Sequence, residues 1–174
     1  MKEQRRLLIV DDEPDICEIL SDLCAVLTMD IRVAANGEEA LEILAKEPLD
    51  CIISDINMPR MSGLDLLREI RALGLETPFV IVSGYGDKRN TVEALQLGAL
   101  DFIDKPFDEK KLLPIVDIGL DLGHAIRHAE SEVEKAYQNS QLPFEALQKL
   151  KHIKRSLWVL KKDYDLHNNR KKSA

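Results

Sequence analysis

Two hydrophobic periods alternate along this chain, and that alternation constrains its fold more than anything else. Five short apolar, β-branched runs recur at regular intervals: Leu7-Leu8-Ile9-Val10, Ile31-Arg32-Val33-Ala34, Cys51-Ile52-Ile53-Ser54, Phe79-Val80-Ile81-Val82 and Phe102-Ile103. They read as strands. Each of the first four is followed by a segment with helical spacing. These carry Ile16, Ile19, Leu20, Leu23 and Leu27, then Ala40, Leu41 and Leu44, then Leu64, Leu67 and Ile70, then Val92 and Leu95 closed by the breaker Gly98. A strand can return parallel to its predecessor only through a long crossover, which a helix supplies. Several runs are apolar nearly throughout, as expected when helices cover both faces of the sheet. The fold class is therefore α/β, a doubly wound parallel sheet whose ligand site should lie at the carboxyl ends of the strands.

Those ends carry chemistry. The first run leads into Asp11-Asp12-Glu13, the third into Asp55, the fourth into Ser83-Gly84 and the fifth into Asp104-Lys105-Pro106. Carboxylates about 5 Å apart repel by roughly 3 kcal/mol per pair at an effective dielectric near 20, so a convergent acidic rim calls for a cation. Hard oxygen donors with room for water suit Mg²⁺. A carboxylate beside a metal, an ammonium and a hydroxyl is equipped for phosphoryl transfer, with the carboxylate as nucleophile. Asp55, at the end of a central strand, is the natural candidate. Taken singly, each residue has an ordinary reading: an Asp after a strand commonly caps the next helix, and a Lys before Pro commonly sits in a solvated loop. Their placement at four of five strand ends is what points to a site.

At these same positions the sequence resembles the response-regulator receivers of bacterial two-component systems. The resemblance is carried by Leu8-Ile9-Val10-Asp11-Asp12-Glu13-Pro14, by Ser54-Asp55-Ile56-Asn57-Met58-Pro59-Arg60-Met61-Ser62-Gly63, by Val82-Ser83-Gly84, and by Gly98-Ala99-Leu100-Asp101-Phe102-Ile103-Asp104-Lys105-Pro106-Phe107. It implies a flavodoxin-like five-stranded sheet of order 2-1-3-4-5, with Asp55 accepting phosphate from the phosphohistidine of a sensor histidine kinase or phosphotransfer protein. It further implies that Asp12 and Asp55 bind Mg²⁺ directly, Asp11 through water, and Asn57 through its backbone carbonyl. Lys105 would pair with the phosphoryl group, Ser83 would move to hydrogen-bond it, Phe102 would follow as the aromatic switch, and a cis peptide would precede Pro106. Phe102 has no hydroxyl, which excludes a switch that buries a phenol. Gly84 would leave the phosphoryl group little side-chain cover. Pro114 falls inside the last receiver helix if Asp108 caps it, which puts a straight helix in doubt.

Composition sets limits on the alternatives. A chain of 174 residues can bury one core and carry an appendage. No apolar run approaches the roughly 20 residues of a membrane span, and the start of the chain lacks a signal-peptide core, so the expectation is a cytoplasmic protein without a membrane partner. Cys17, Cys24 and Cys51 lack CxxC spacing and read as small buried thiols. The net charge of −7 argues against general nucleic-acid affinity. It divides unevenly: residues 1–123 hold 13 basic and 25 acidic side chains, or −12, and residues 124–174 hold 11 and 6, or +5.

The expected organisation is a receiver over residues 1–122 and a helical extension over residues 123–174. In the extension, Leu122, Ile126, Ala129, Val133 and Ala136 form a heptad-like stripe that should prolong the last receiver helix. Pro143 is placed to open a second helix through Leu147, Leu150, Ile153, Leu157, Leu160 and Tyr164, giving a helical hairpin followed by a disordered basic tail. Output by protein interaction or homodimerisation through these stripes is the first reading. The alternative is a DNA-binding transcriptional regulator using Lys149, Lys151, Lys154, Arg155, Lys161 and Lys162. Against it, a charge run on an amphipathic helix is usually its solvated face, and two helices make no compact helix-turn-helix core. His124 and His128 read as exposed helix residues rather than metal ligands. The chain reads as a phosphoacceptor switch and not an enzyme with external turnover. A haloacid-dehalogenase-type phosphatase would need an Asp two residues past the nucleophile, where Asn57 stands.

Overall fold

The computed structural model describes residues 4–84 and 88–139. Five strands and five helices alternate: β1 (Arg6–Val10), α1 (Pro14–Cys24), β2 (Asp30–Ala34), α2 (Gly37–Lys46), β3 (Cys51–Asp55), α3 (Gly63–Ala72), β4 (Phe79–Gly84), α4 (Lys88–Gln96), β5 (Asp101–Lys105) and α5 (Glu109–Asn139). The strands form one parallel sheet of order β2-β1-β3-β4-β5, as the sequence led us to expect. In register, Leu7 faces Cys51 across β1 and β3, and Asp55 faces Val82 across β3 and β4.

The period of two along each strand divides the core into two layers. Leu8, Val10, Ile52, Phe79 and Ile81 point to one face, where they pack with Ala40, Leu64, Leu67, Ile70 and Ala94 of α2, α3 and α4. Leu7, Ile9, Ile53, Val80 and Val82 point to the other, against Cys17, Leu20 and Cys24 of α1 and Leu112, Val116 and Leu120 of α5. Both faces of β1, β3 and β4 are thus covered, which is why these runs are continuously apolar. All three cysteines are buried free thiols. Burial pushes the Cys24 thiol up to about 11 and raises Cys17 and Cys51 as well, so none is primed as a nucleophile.

Two helix faces depart from the periodic reading. Val92 and Leu95 lie outward on α4, 54% and 51% exposed, while Ala94 is fully buried. The small side chain of Ala94 meets the sheet, and the larger Val92 and Leu95 turn to solvent. Ile19 of α1 is also half-exposed, and α1 ends at Cys24, short of Leu27. Pro14 opens α1 at its first turn, where its missing N–H costs nothing. Asn36 and Ser62 cap α2 and α3 by accepting from the main-chain N–H groups of Glu39 and Asp65.

Helix α5 runs without interruption through Pro114, whose ring is exposed in an early turn. Its base lies tight against the start of β3, and two glycines one turn apart permit this. A Cβ on Gly119 would come within 2.7 Å of Cys51 Sγ, and one on Gly123 within 1.7 Å of the Asp50 carbonyl oxygen. Arg127 Nε donates to the wholly buried Asp50 carboxylate at 2.9 Å, and the Arg6 main-chain N–H donates to it at 2.7 Å. The chain divides into two units between Arg127 and His128. In the second unit the described part ends at Asn139, so the expected second helix, its hairpin and the basic tail lie outside the described residues. Among the described residues no helix is long and apolar enough to cross a membrane.

Candidate functional site

The strands run further than their apolar cores suggested, and Asp55, Ser83, Gly84, Asp104 and Lys105 are the last residues of β3, β4 and β5 rather than loop residues after them. Ladder hydrogen bonds therefore fix their backbones. Asp55 is 5% exposed, Asp11 1% and Ser83 4%, whereas Asp12 and Asn57 are exposed. Ser83 pairs in register with the exposed Asp104 across β4 and β5, and the partly buried Phe102 pairs with Ile81.

Lys105 organises the charges. Its Nζ lies 2.7 Å from Asp11 Oδ2, 2.7 Å from Asp55 Oδ1 and 3.9 Å from Glu13 Oε1. Partial burial on its own would pull the Lys105 pKa down, but hydrogen bonds and charge from Asp11 and Asp55 outweigh it and hold the pKa above its ordinary value. The remaining carboxylate oxygens take main-chain donors: Asn57 N–H reaches Asp55 Oδ2 at 2.6 Å, and Glu13 N–H reaches Asp11 Oδ1 at 3.0 Å. The Lys105–Pro106 peptide bond is cis.

The loop after β3 is shaped by residues that the sequence named within a motif but gave no role of their own. Ser54 Oγ donates to the Asp55 carbonyl at 2.8 Å, and Gly63 N–H donates to the Ile56 carbonyl at 3.0 Å. A Cβ on Gly63 would stand 2.1 Å from the Asp55 carbonyl oxygen, so the start of α3 can tuck under the acidic residue only as glycine. Arg60 occupies the left-handed region at φ 66° and forms an ion pair with Glu38. The Ser-Gly pair before a helical stripe could have flagged Gly63, and the four-residue spacing of Gly119 and Gly123 could have flagged the close approach of α5. Ser54 carried no such signal.

Among the described residues, no three His, Cys, Asp or Glu side chains close up into a metal cage. The reason is local: Asp11 and Asp55 both turn toward the Lys105 ammonium, and Asp12 is exposed. His128 is exposed, and His124 Nδ1 lies 2.9 Å from Arg127 Nη2. The donor set nonetheless fits a hard cation, which takes one or two carboxylates, a carbonyl and several waters in preference to a complete protein cage.

With this geometry in place, the comparisons are specific. Residues 7–117 match the response regulator receiver domain family. The chain is similar to the response regulator protein PilR of Pseudomonas aeruginosa, with 37% identity over 139 residues, covering 80% of this chain and 30% of that protein. It is also similar to the transcriptional regulatory protein DltR of Streptococcus agalactiae, with 37% identity over 108 residues, covering 62% of this chain and 48% of that protein. The chain thus spans less than half the length of either. Among solved structures it resembles the receiver domain of the Francisella response regulator 1452, with 30% identity, a TM-score of 0.63, and coverage of 67% of this chain and 97% of that one.

Proposed function

The chain belongs to the response regulator receiver domain family of two-component signalling, and from that premise we propose that Asp55 is its phosphoacceptor. The carrying observation is a buried carboxylate at the end of the central strand, with a lysine ammonium 2.7 Å away and a second buried carboxylate on the same lysine. An Asp55 oxygen attacks the phosphorus of a phosphohistidine. The P–N bond breaks as the P–O bond forms, the bonding pair leaves with the imidazole nitrogen, and an acyl phosphate remains. Asp12, Asp55 and the Asn57 carbonyl are the proposed direct holders of Mg²⁺, with Asp11 acting through water. The cation would neutralise the charge that gathers on the equatorial oxygens. Lys105 then pairs with the phosphoryl group, the Ser83 hydroxyl moves to donate to it, and Phe102 follows.

The test is chemical. Acetyl phosphate with Mg²⁺ should place one acid-stable, base-labile acyl phosphate on the protein, and Asp55→Asn should remove it. Equal labelling of the variant sinks the assignment. For output, the heptad-like stripe Leu122, Ile126, Ala129 and Val133 supports protein interaction or dimerisation through the C-terminal segment. The likeness to DltR, a transcriptional regulatory protein, supports the second reading, a DNA-binding regulator. A salt-dependent binding assay of the full chain on duplex DNA separates the two.

A further inference from the structure

The corner between β2 and α2, residues 34–37, supplies no side chain to the acidic pocket, yet it touches both loops that carry the proposed cation donors. On one side, the Asp11 main-chain N–H donates to the Ala34 carbonyl at 3.1 Å, which fixes the backbone from which Asp11 and Asp12 project. On the other side lies the loop after β3. A Cβ added to Gly37 would stand 2.6 Å from Met61 Cγ, 2.7 Å from its Sδ and 2.9 Å from its Cβ. The Met61 side chain therefore fills the space that any side chain at position 37 would need. Met61 Cβ is not a flexible end, so an added methyl at 37 must move the loop itself. Arg60 reaches the same corner through its ion pair with Glu38, but both groups are exposed and the pair adds little.

The corner is itself stiff. Asn36 is 1% exposed and uses its side chain there: Oδ1 accepts from the Glu39 N–H at 3.1 Å, and Nδ2 donates to Glu39 Oε1 at 2.9 Å. The other Glu39 oxygen accepts from the Ala35 N–H at 3.0 Å, so Glu39 reaches back over the cap in the manner of a capping box. The loop after β3, by contrast, needs support. Met58 is buried in the core and Met61 packs against the same core, with Pro59 and Arg60 exposed between them. The Met61 N–H turns back onto the Pro59 carbonyl at 2.8 Å, and Arg60 stands at φ 66°. A residue with a side chain persists in that conformation only where its surroundings hold it, and Met61 on Gly37 holds it from one side. The Asn57 N–H is fixed on Asp55 Oδ2, so the direction of the Asn57 carbonyl depends on the turn that follows.

We propose that the β2–α2 corner is a brace for the cation site: Met61, seated on Gly37, positions the loop that carries the Asn57 carbonyl, while Ala34 holds the Asp11 and Asp12 backbone from the same corner. Mg²⁺ demands near-ideal octahedral geometry, so a small shift of one donor loop weakens binding even where the fold survives. Gly37, Met61 and Ala34 are positioning residues, and none of them is a donor. The proposal rests on the reading of Asp12, Asp55 and Asn57 as holders of Mg²⁺.

The experiment is titration calorimetry of the full chain with Mg²⁺, joined to thermal melts without the metal and to acetyl phosphate labelling over a range of Mg²⁺ concentrations. The proteins are the native sequence, Gly37→Ala, Met61→Ala and Met61→Leu, with Asp12→Ala as the control. In Gly37→Ala and Met61→Ala the Mg²⁺ dissociation constant should rise about tenfold, the usual weight of a group that orients a metal ligand. Saturating Mg²⁺ should then restore the native labelling rate, since Asp55, Ser83 and Lys105 keep their places at the strand ends. Met61→Leu fills the same seat with a similar volume, and its affinity should stay within about twofold of native. If both alanine variants melt earlier but bind Mg²⁺ as the native chain does, the contact is packing alone and the brace is overturned. Labelling that falls equally at every Mg²⁺ concentration overturns it as well. Should Gly37→Ala not fold, Met61→Ala decides, because Met61 is only partly buried. Native Mg²⁺ binding that Asp12→Ala leaves unchanged would instead place the cation elsewhere, and the reading of the cation holders would fall together with the brace.

Discussion

Lys105 neutralises two buried carboxylates at once, which makes it the residue whose loss the fold should feel most sharply at this site. Lys105→Met would leave Asp11 and Asp55 facing each other without a counter-charge, at an expected cost of about 3 kcal/mol at pH 7. Urea titrations of both proteins at pH 7 measure it, and equal stability would show that the ammonium contributes little to holding the two carboxylates together. The lysine's own titration acts at the other end of the scale. Its folded pKa is raised above 10.5, so its contribution is fully present below that value and is lost only as pH rises through the higher folded pKa. Across the neutral range the ion triad should be insensitive to pH. At this scale the sequence was informative about position: Asp11, Asp55, Ser83 and Lys105 were all legible as residues at the strand ends. That Lys105 ties Asp11 to Asp55 was not, because the tie depends on the sheet order, with β1 beside β3 and the lysine reaching over from β5 beyond β4.

The elements owe their positions to close backbone approaches as much as to apolar stripes. Gly63→Ala would drive a Cβ into the Asp55 carbonyl and the Ser54 hydroxyl, 2.1 and 3.0 Å away. Neither neighbour is a flexible side-chain end, so the start of α3 must move, at an expected cost of about 2–4 kcal/mol. Phosphoryl labelling at Asp55 should fall with it. Gly84→Ala is the control, since its Cβ would meet nothing within 4 Å and stability should change by less than about 1 kcal/mol. Paired thermal melts and acetyl phosphate labelling check both, and a tolerated Gly63→Ala would contradict the packing described. The outward turn of Val92 and Leu95 belongs to this scale too. Helical spacing showed that α4 exists, but not which of its faces meets the sheet, because the buried position is the small Ala94 while Val92 and Leu95 face outward.

For the whole molecule, the ion pair between Arg127 and the buried Asp50 sets where the first unit can be cut. Truncation after Gly123 removes that arginine and should cost about 3 kcal/mol, while truncation after Arg127 should leave stability within about 1 kcal/mol of the native chain. Denaturant unfolding of the two shortened chains distinguishes them, and equal stability would show that the pair contributes little. If the C-terminal segment is the output element, light scattering should show association of the full chain strengthening with Mg²⁺ and beryllofluoride, and the 1–127 chain should not respond. Association that persists in the shortened chain would move the output onto the receiver surface.

The sequence by itself determined the α/β class, the count and order of the elements and the rim that gathers the acidic residues, Ser83 and Lys105. It could do so because hydrophobic period and strand-end residues are local properties, and a period of two or 3.6 needs no partner to be read. Strand order followed from motif resemblance rather than from periodicity. The tertiary structure decided the rest. It placed one lysine between Asp11 and Asp55, packed glycines 63 and 123 against backbone atoms and Gly119 against the Cys51 side chain, paired Arg127 with Asp50 and gave Arg71 the carbonyls of two helix ends. Each of these joins residues distant in the chain, and no local pattern encodes which distant carbonyl a guanidinium meets or which helix face is small enough to lie against a sheet.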